Sequence, residues 1–193
     1  MDKTLTVGFA FTGSYCTFSR LFPVLEEIAE SAEVIPVFSN NSAKTDTRFG
    51  SSAGFIEKAE KLCGKSAITT IAEAEPIGPK KLIDVLVIAP CTGNTIAKLA
   101  NGIADTTVTL AAKSQLRNNR PIVIAVSTND GLGANAANIG KLLARKNIYL
   151  VPFGQDDCIE KENSVVADFK QIPATITAAL EKRQLQPVLV NRK

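Results

Sequence analysis

The sequence predicts an α/β fold built on a doubly wound parallel sheet, with helices covering both faces. Three observations carry that expectation. Apolar runs of strand length recur along the chain at intervals too long for hairpins. The segments between them repeat apolar residues at three- and four-residue steps, the period of one helix face. Strand and helix therefore alternate, and such alternation closes into a parallel sheet buried on both sides.

The strand candidates are Leu5 to Phe11, Val34 to Phe38, Val85 to Ala89, Ile122 to Val126 and Ile148 to Phe153. After the first, Phe18, Leu21, Phe22, Leu25 and Ile28 paint one helical face apolar. A second helix carries Phe55, Ile56, Ala59 and Leu62 and stops at Gly64, a residue suited to a left-handed cap. A third carries Ile96, Leu99, Ala100 and Ile103, and a fourth is expected from Ala134 to Lys146. Between Ser66 and Lys81, Ile68 to Ile71 reads as a short edge strand, and Pro76, Gly78 and Pro79 turn the rest of that stretch into a loop. Ala167 to Lys182 reads as a last helix broken near Pro173. The whole, residues 1–193, reads as one domain, with the last ~10 residues as a tail ending in Asn191, Arg192 and Lys193.

Composition narrows the function. A hydrophobic content of 45% supports a core without disulfides or metals. The net formal charge is +3, and its cations are scattered among acids rather than gathered in a stripe, which argues against nucleic-acid binding. No apolar run approaches the ~20 residues that span a bilayer, so no membrane role and a cytoplasmic location are expected. Cys16, Cys63, Cys91 and Cys158 are far apart and the chain has no histidine, so no metal site is expected and the cysteines read as reduced packing residues.

In an open parallel sheet, ligands bind beyond the carboxyl ends of the strands, where helix amino termini present unpaired N–H groups. After the first strand stands Thr12-Gly13-Ser14-Tyr15-Cys16-Thr17. Gly13 allows close approach, and the hydroxyls of Ser14 and Thr17 suit phosphate oxygens or, alternatively, a helix cap. Neither a G-x-G-x-x-G fingerprint nor a Walker lysine motif is present, so NAD and ATP are not the favoured ligands. After the second strand, Ser39-Asn40-Asn41-Ser42 either holds a phosphate or ribose or turns the chain. The fourth strand of the predicted set runs into Pro90-Cys91-Thr92-Gly93-Asn94-Thr95, where small and hydroxyl residues open a helix and Asn94 offers a donor and an acceptor to a flat heterocycle.

This last segment closely resembles the Pro-Ala-Ser-Ala-Asn-Thr motif of the homo-oligomeric flavin-containing cysteine decarboxylase family, which includes phosphopantothenoylcysteine decarboxylase, lantibiotic-modifying decarboxylases and flavin prenyltransferases. The resemblance covers most of the chain, from the Gly13-Ser14 loop through Ser39 to the Ile148 strand. It implies a Rossmann-like sheet in the order 3-2-1-4-5-6, a three-layer sandwich, FMN as cofactor, and assembly into trimers or dodecamers with FMN near a subunit interface. Carried over residue by residue, it implicates Gly13, Ser14, Ser39, Thr92, Gly93, Asn94 and Thr95 in cofactor binding. The departures are as informative. The family's decarboxylases use an early histidine and a Pro-x-Met-Asn-x-x-Met clamp, whereas this chain has no histidine and no methionine beyond Met1. In place of the clamp stands Ser127-Thr128-Asn129-Asp130-Gly131-Leu132-Gly133, where Asn129 matches the clamp asparagine. Ser127, Asn129 and Asp130 are the candidates for contact with a more polar substrate.

The chain as a whole resembles a branch of that family that works with an NAD(P)-binding A subunit. That branch oxidises a small dihydropyridine dicarboxylate to its aromatic acid in spore-forming bacteria. The resemblance implies an oxidoreductase subunit inactive without its partner. A scaffold that only binds a phosphate-bearing ligand and a divergent decarboxylase or prenyltransferase are the alternatives. Oxidation of a dihydropyridine needs a hydride acceptor, either a flavin here or NAD(P) on the partner, and a means of holding carboxylates. For the carboxylates the candidates are the helix amino termini at Ser14 and Thr92, Asn129, Arg48 and Lys113; for the proton, Asp130 and Tyr15. Cys16 and Cys91 follow neighbouring strands and are expected close together beside the cofactor.

Overall fold

The computed structural model describes residues 5–190. β1 (Thr6–Phe11) is buried along its whole length and leads through a 3-10 turn at Tyr15–Thr17 into α1 (Phe18–Ser31). β2 (Glu33–Phe38) follows, then α2 (Asn40–Lys44) and α3 (Ser52–Cys63). α3 ends where expected, because Gly64 takes φ +61° and its N–H reaches the carbonyl of Glu60. α4 (Ile71–Ala74), β3 (Val85–Cys91), α5 (Gly93–Ala100), α6 (Thr107–Arg117) and β4 (Ile122–Thr128) come next. The chain closes with α7 (Ala136–Leu143), β5 (Ile148–Leu150), β6 (Phe153–Asp157), β7 (Lys161–Ala167) and α8 (Ile172–Leu180).

The parallel core runs β2-β1-β3-β4, with β5 parallel to β4 over Ile122–Ile124. That is the expected order for its five main strands. α1 and α8 pack together on one face of the sheet, and α5, α6 and α7 lie on the other, giving three layers. β1, β3 and most of β4 are buried on both sides, which explains their unbroken apolar runs.

Several features differ from the sequence expectations. The sheet is mixed: past Val126 the edge of β4 changes partner, and Ser127 and Thr128 pair antiparallel with Val166 and Val165 of β7, which in turn pairs antiparallel with β6. The expected strand from Ile148 to Phe153 is accordingly divided, β5 ending at Leu150 and Phe153 opening the hairpin. The edge strand at Ile68 to Ile71 is reduced to one parallel bridge, Val37 to Ile68, because Thr70 and Glu73 form a reciprocal capping box that starts α4. Pro173 opens α8 instead of breaking it, and Ile103 lies beyond α5 with 48% of its surface exposed. α6 has no counterpart among the sequence expectations, since its buried face is made mainly of small and polar residues, including Thr107, Thr109, Ala111, Ala112 and Ser114. Residues 188–190 dock on the start of β6, where Phe153 exchanges hydrogen bonds with Val188 and Val190. The last three residues of the expected tail, Asn191 to Lys193, lie outside the described residues.

Candidate functional site

The carboxyl ends of β1, β3 and β4 open into a cleft of about 840 Å³. Three loops build its walls: Gly13 to Thr17 after β1, Thr92 to Asn94 after β3, and Ser127 to Asp130 at the end of β4. The hairpin closes a fourth side with Asp156, Lys161 and Ser164 to Val166, while Arg20 and Phe49 complete the rim. Its volume is within the ~300–1,000 Å³ common for ligand and cofactor clefts.

Hydrogen bonds lock the loops to one another. Thr12 donates its hydroxyl to the carbonyl of Pro90 (2.6 Å) and accepts from the amide of Thr92 (3.1 Å), tying the first loop to the second. Ser14 Oγ lies 3.0 Å from Ser127 Oγ, tying the first to the third. Asp130 accepts from Thr128 Oγ1 and, at 2.8 Å, from Asn135 Nδ2. Both of its oxygens are thus engaged in holding the glycine-rich turn.

Gly93 sits against that turn. A Cβ built on it would stand 2.6 Å from Asn135 Nδ2 and 2.7 Å from both Asp130 Oδ1 and Thr128 Oγ1. Its lack of a side chain therefore serves close packing of two loops. Gly13 differs, since a Cβ there would meet only the Tyr15 ring, at 3.9 Å, and its open side belongs to the cleft.

α2, α3, α4 and α6 carry side-chain caps, and α1, α5, α7 and α8 do not. Ser39, Ser51, Thr70 and Thr106, which start helices outside the cleft lining, each accept a hydrogen bond from an amide in the first turn. Thr17 and Thr92, which start α1 and α5 at the cleft, make no such bond. Thr17 instead donates to Ser14 O, and Thr92 Oγ1 lies 3.3 Å from Thr95 Oγ1. Ahead of α1 the 3-10 turn takes up the amides of Thr17 and Phe18 through the carbonyls of Ser14 and Tyr15, whereas the first amides of α5 have no side-chain acceptor, the arrangement that suits an anion.

Of the residues implicated for the cofactor, Gly13, Ser14, Thr92, Gly93 and Asn94 line the cleft, and Asn94 is exposed in it. Ser39 and Thr95 are not among the lining residues: Ser39 caps α2, and Thr95 is buried beneath Thr92. Ser127, Asn129 and Asp130 all line it. Arg48 instead stacks over Phe49, and Lys113 lies in a separate cavity of about 350 Å³ beside Arg117 and Arg145. Tyr15 is in the cleft wall but donates its hydroxyl to Asn41 O at 2.9 Å. Cys16 is exposed at the cleft, whereas Cys91 is fully buried and burial pushes its thiol far above the ordinary range, so it packs as an apolar residue. Sequence reasoning missed Arg20, Phe49, Thr128 and the hairpin residues. A faint signal for the hairpin existed in the apolar end of Lys161 to Ala167, whereas Arg20 gave none.

A three-layer sandwich with a cleft at the carboxyl ends of its parallel strands is the architecture of the flavoprotein class, and similarity to known proteins places the chain within it. The profile of the flavoprotein family matches residues 1–181, and the chain belongs to that family. It is 51% identical to the B subunit of dipicolinate synthase of Bacillus subtilis (strain 168) over 189 residues, covering 97% of this chain and 94% of that protein. The crystal structure of the dipicolinate synthase B subunit from Bacillus halodurans C superposes with a TM-score of 0.90 at 44% identity, covering 98% of this chain and 97% of that one. The FMN binding protein AtHal3 shares the fold, with a TM-score of 0.64 at 22% identity over 95% of this chain and 100% of that one. Among the described residues no helix is long and apolar enough to cross a membrane.

Proposed function

We propose that this chain acts as the B subunit of a dipicolinate synthase, binding FMN in the cleft. With an NAD(P)-binding A subunit it oxidises dihydrodipicolinate to dipicolinate during sporulation in the cytoplasm, as one domain assembled with copies of itself. The observation that carries the reading is the uncapped amino terminus of α5 in a cleft also lined by Gly13, Ser14 and Asn94, in a chain 51% identical to the B subunit of a dipicolinate synthase.

The residues present fit the cofactor. Gly13 leaves room for a phosphate to approach, the Ser14 hydroxyl and the first amides of α5 supply donors, and Asn94 presents its exposed amide to a heterocycle. When bound, FMN supplies a two-electron hydride acceptor, as aromatisation of a dihydropyridine requires. The chain's own residues bind and orient. Asp130 holds Ser127 and Asn129 at the cleft through Thr128 and Asn135, each of its oxygens accepting one hydrogen bond and keeping a lone pair. Tyr15 holds its proton in a bond to Asn41 O and is a donor there. The substrate's proton passes to Asp130 or to water in the open cleft.

The test is a titration of the purified chain with FMN, read by flavin absorbance and fluorescence, alongside Ser14→Ala/Asn94→Ala. Saturable binding by the native chain, lost in the double variant, is the expected result. No binding by the native chain, even with the A subunit present, overturns the reading in favour of a phosphate-binding scaffold. Carbon dioxide release from a cysteinyl substrate by this chain alone would instead return it to the decarboxylases.

A further inference from the structure

The charged side chains that line the cleft are Arg20, Asp130, Asp156 and Lys161. Asp130 is satisfied by Thr128 and Asn135, and Lys161 is paired with Asp156 at 3.2 Å. Arg20 makes no ion pair among the described residues. Its guanidinium carbon lies 4.9 Å from the centroid of the Phe169 ring, and Phe169 itself is buried, with 2% of its surface exposed. The helix gains nothing from this charge, because Arg20 is the third residue of α1, where the helix dipole opposes a cation. The contact with a buried ring restrains the guanidinium at the cleft, and no hydrogen bond or ion pair among the described residues takes up its N–H groups, which suit a two-pronged bond with a carboxylate.

Arg20 lies in the first turn of α1, and its contact with Phe169 connects it to the opposite side of the cleft. Phe169 lies two residues beyond β7, whose Val166 and Val165 pair with Ser127 and Thr128 of the substrate loop. The phosphate is served by the first amides of α5 and the Ser14 hydroxyl. We infer that Arg20, braced by Phe169, is the residue of this cleft that recognises a substrate carboxylate. This rests on the dipicolinate reading of the cleft and names the side chain that gives it selectivity for an acid. Lys161 is a weaker candidate because an anion would have to displace Asp156, a group already at hydrogen-bond distance.

The test measures dipicolinate binding by calorimetry on the full chain loaded with FMN, with and without the A subunit, and FMN affinity separately. Arg20→Gln is expected to weaken dipicolinate about 10- to 100-fold, the range for a lost charge-assisted hydrogen bond, with FMN affinity unchanged within about twofold. Arg20→Lys, which keeps the charge and loses the fork, and Phe169→Leu, which keeps the fork and loses the brace, should each fall between. Native dipicolinate affinity in Arg20→Gln overturns the inference while leaving the function intact. Loss of FMN affinity in that variant overturns it too, by assigning Arg20 to the phosphate. Absence of dipicolinate binding by the native chain under both conditions removes the inference together with the reading beneath it.

Discussion

Gly93→Ala places a methyl group where three polar atoms already stand at 2.6 to 2.7 Å. None of them can swing away freely. Thr128 Oγ1 and Asn135 Nδ2 are both bonded to Asp130, so retreat of any one breaks a bond that holds the substrate loop. Overpacking of this kind costs about 1–3 kcal/mol, and each broken hydrogen bond adds about 1 kcal/mol. The better helix propensity of alanine offsets up to about 1 kcal/mol, less at the first helical position. The net loss is about 1–3 kcal/mol, which in a chain of this length lowers the melting temperature by about 2–10 °C. FMN affinity should fall with it, because Thr92 and Asn94 flank the displaced backbone. Gly13→Ala is the matched control: its new Cβ meets only the Tyr15 ring at 3.9 Å, so stability should hold within about 0.5 kcal/mol while FMN affinity falls. Thermal unfolding without ligand and flavin titration of the two variants separate these effects. A Gly93→Ala protein that melts at or above the native temperature would refute the packing account, and Gly13→Ala with native FMN affinity would refute the open-side account.

Two further predictions concern stability. Gln115 is fully buried in α6, and its side-chain nitrogen and oxygen both lack a hydrogen-bond partner among the described residues; Gln115→Met, similar in shape and without the amide, should raise stability by about 1–3 kcal/mol in urea unfolding, and a lowered midpoint would contradict this. Burial raises the Cys63 thiol from its ordinary 9.0 to about 11, so between those values the folded chain keeps a proton that the unfolded chain has released. Its contribution is therefore fully present below about pH 9 and is lost as the pH rises to about 11. Cys63→Ala should flatten that alkaline loss, and an unchanged slope would show that the thiol does not contribute.

Much of the sheet was legible because a strand buried on both faces must be apolar without interruption, as β1 and β3 are. α1 and α3 were legible through helical spacing, and the end of α3 through Gly64. α6 was illegible because tight packing against the sheet selected small and hydroxyl residues, which carry no apolar period. The hairpin was illegible because β6 and β7 are exposed over much of their length, with charged residues such as Asp156 and Lys161 where an apolar alternation would have marked a strand.

For the site, the sequence by itself determined which loops would line the cleft, since the carboxyl ends of parallel strands follow from the alternation of strand and helix, and motif resemblance pointed to the flavin. Only the tertiary structure decided what each side chain is free to do. Asp130 and Tyr15 are tied to neighbours, Gly93 serves a loop contact, and Cys91 is sealed in the core. Arg20, a helix residue that belongs to no motif, stands at the rim without an ion-pair partner among the described residues. The physical reason is that a side chain's chemistry depends on which partners already satisfy it, and here those partners include Asn135 for Asp130, Asn41 for Tyr15 and Phe169 for Arg20. The tie from Asn41 to Tyr15 spans 26 positions, and the tie from Ser127 to Ser14 spans 113. Contacts over such separations exist only once the sheet has brought the ends of its strands together.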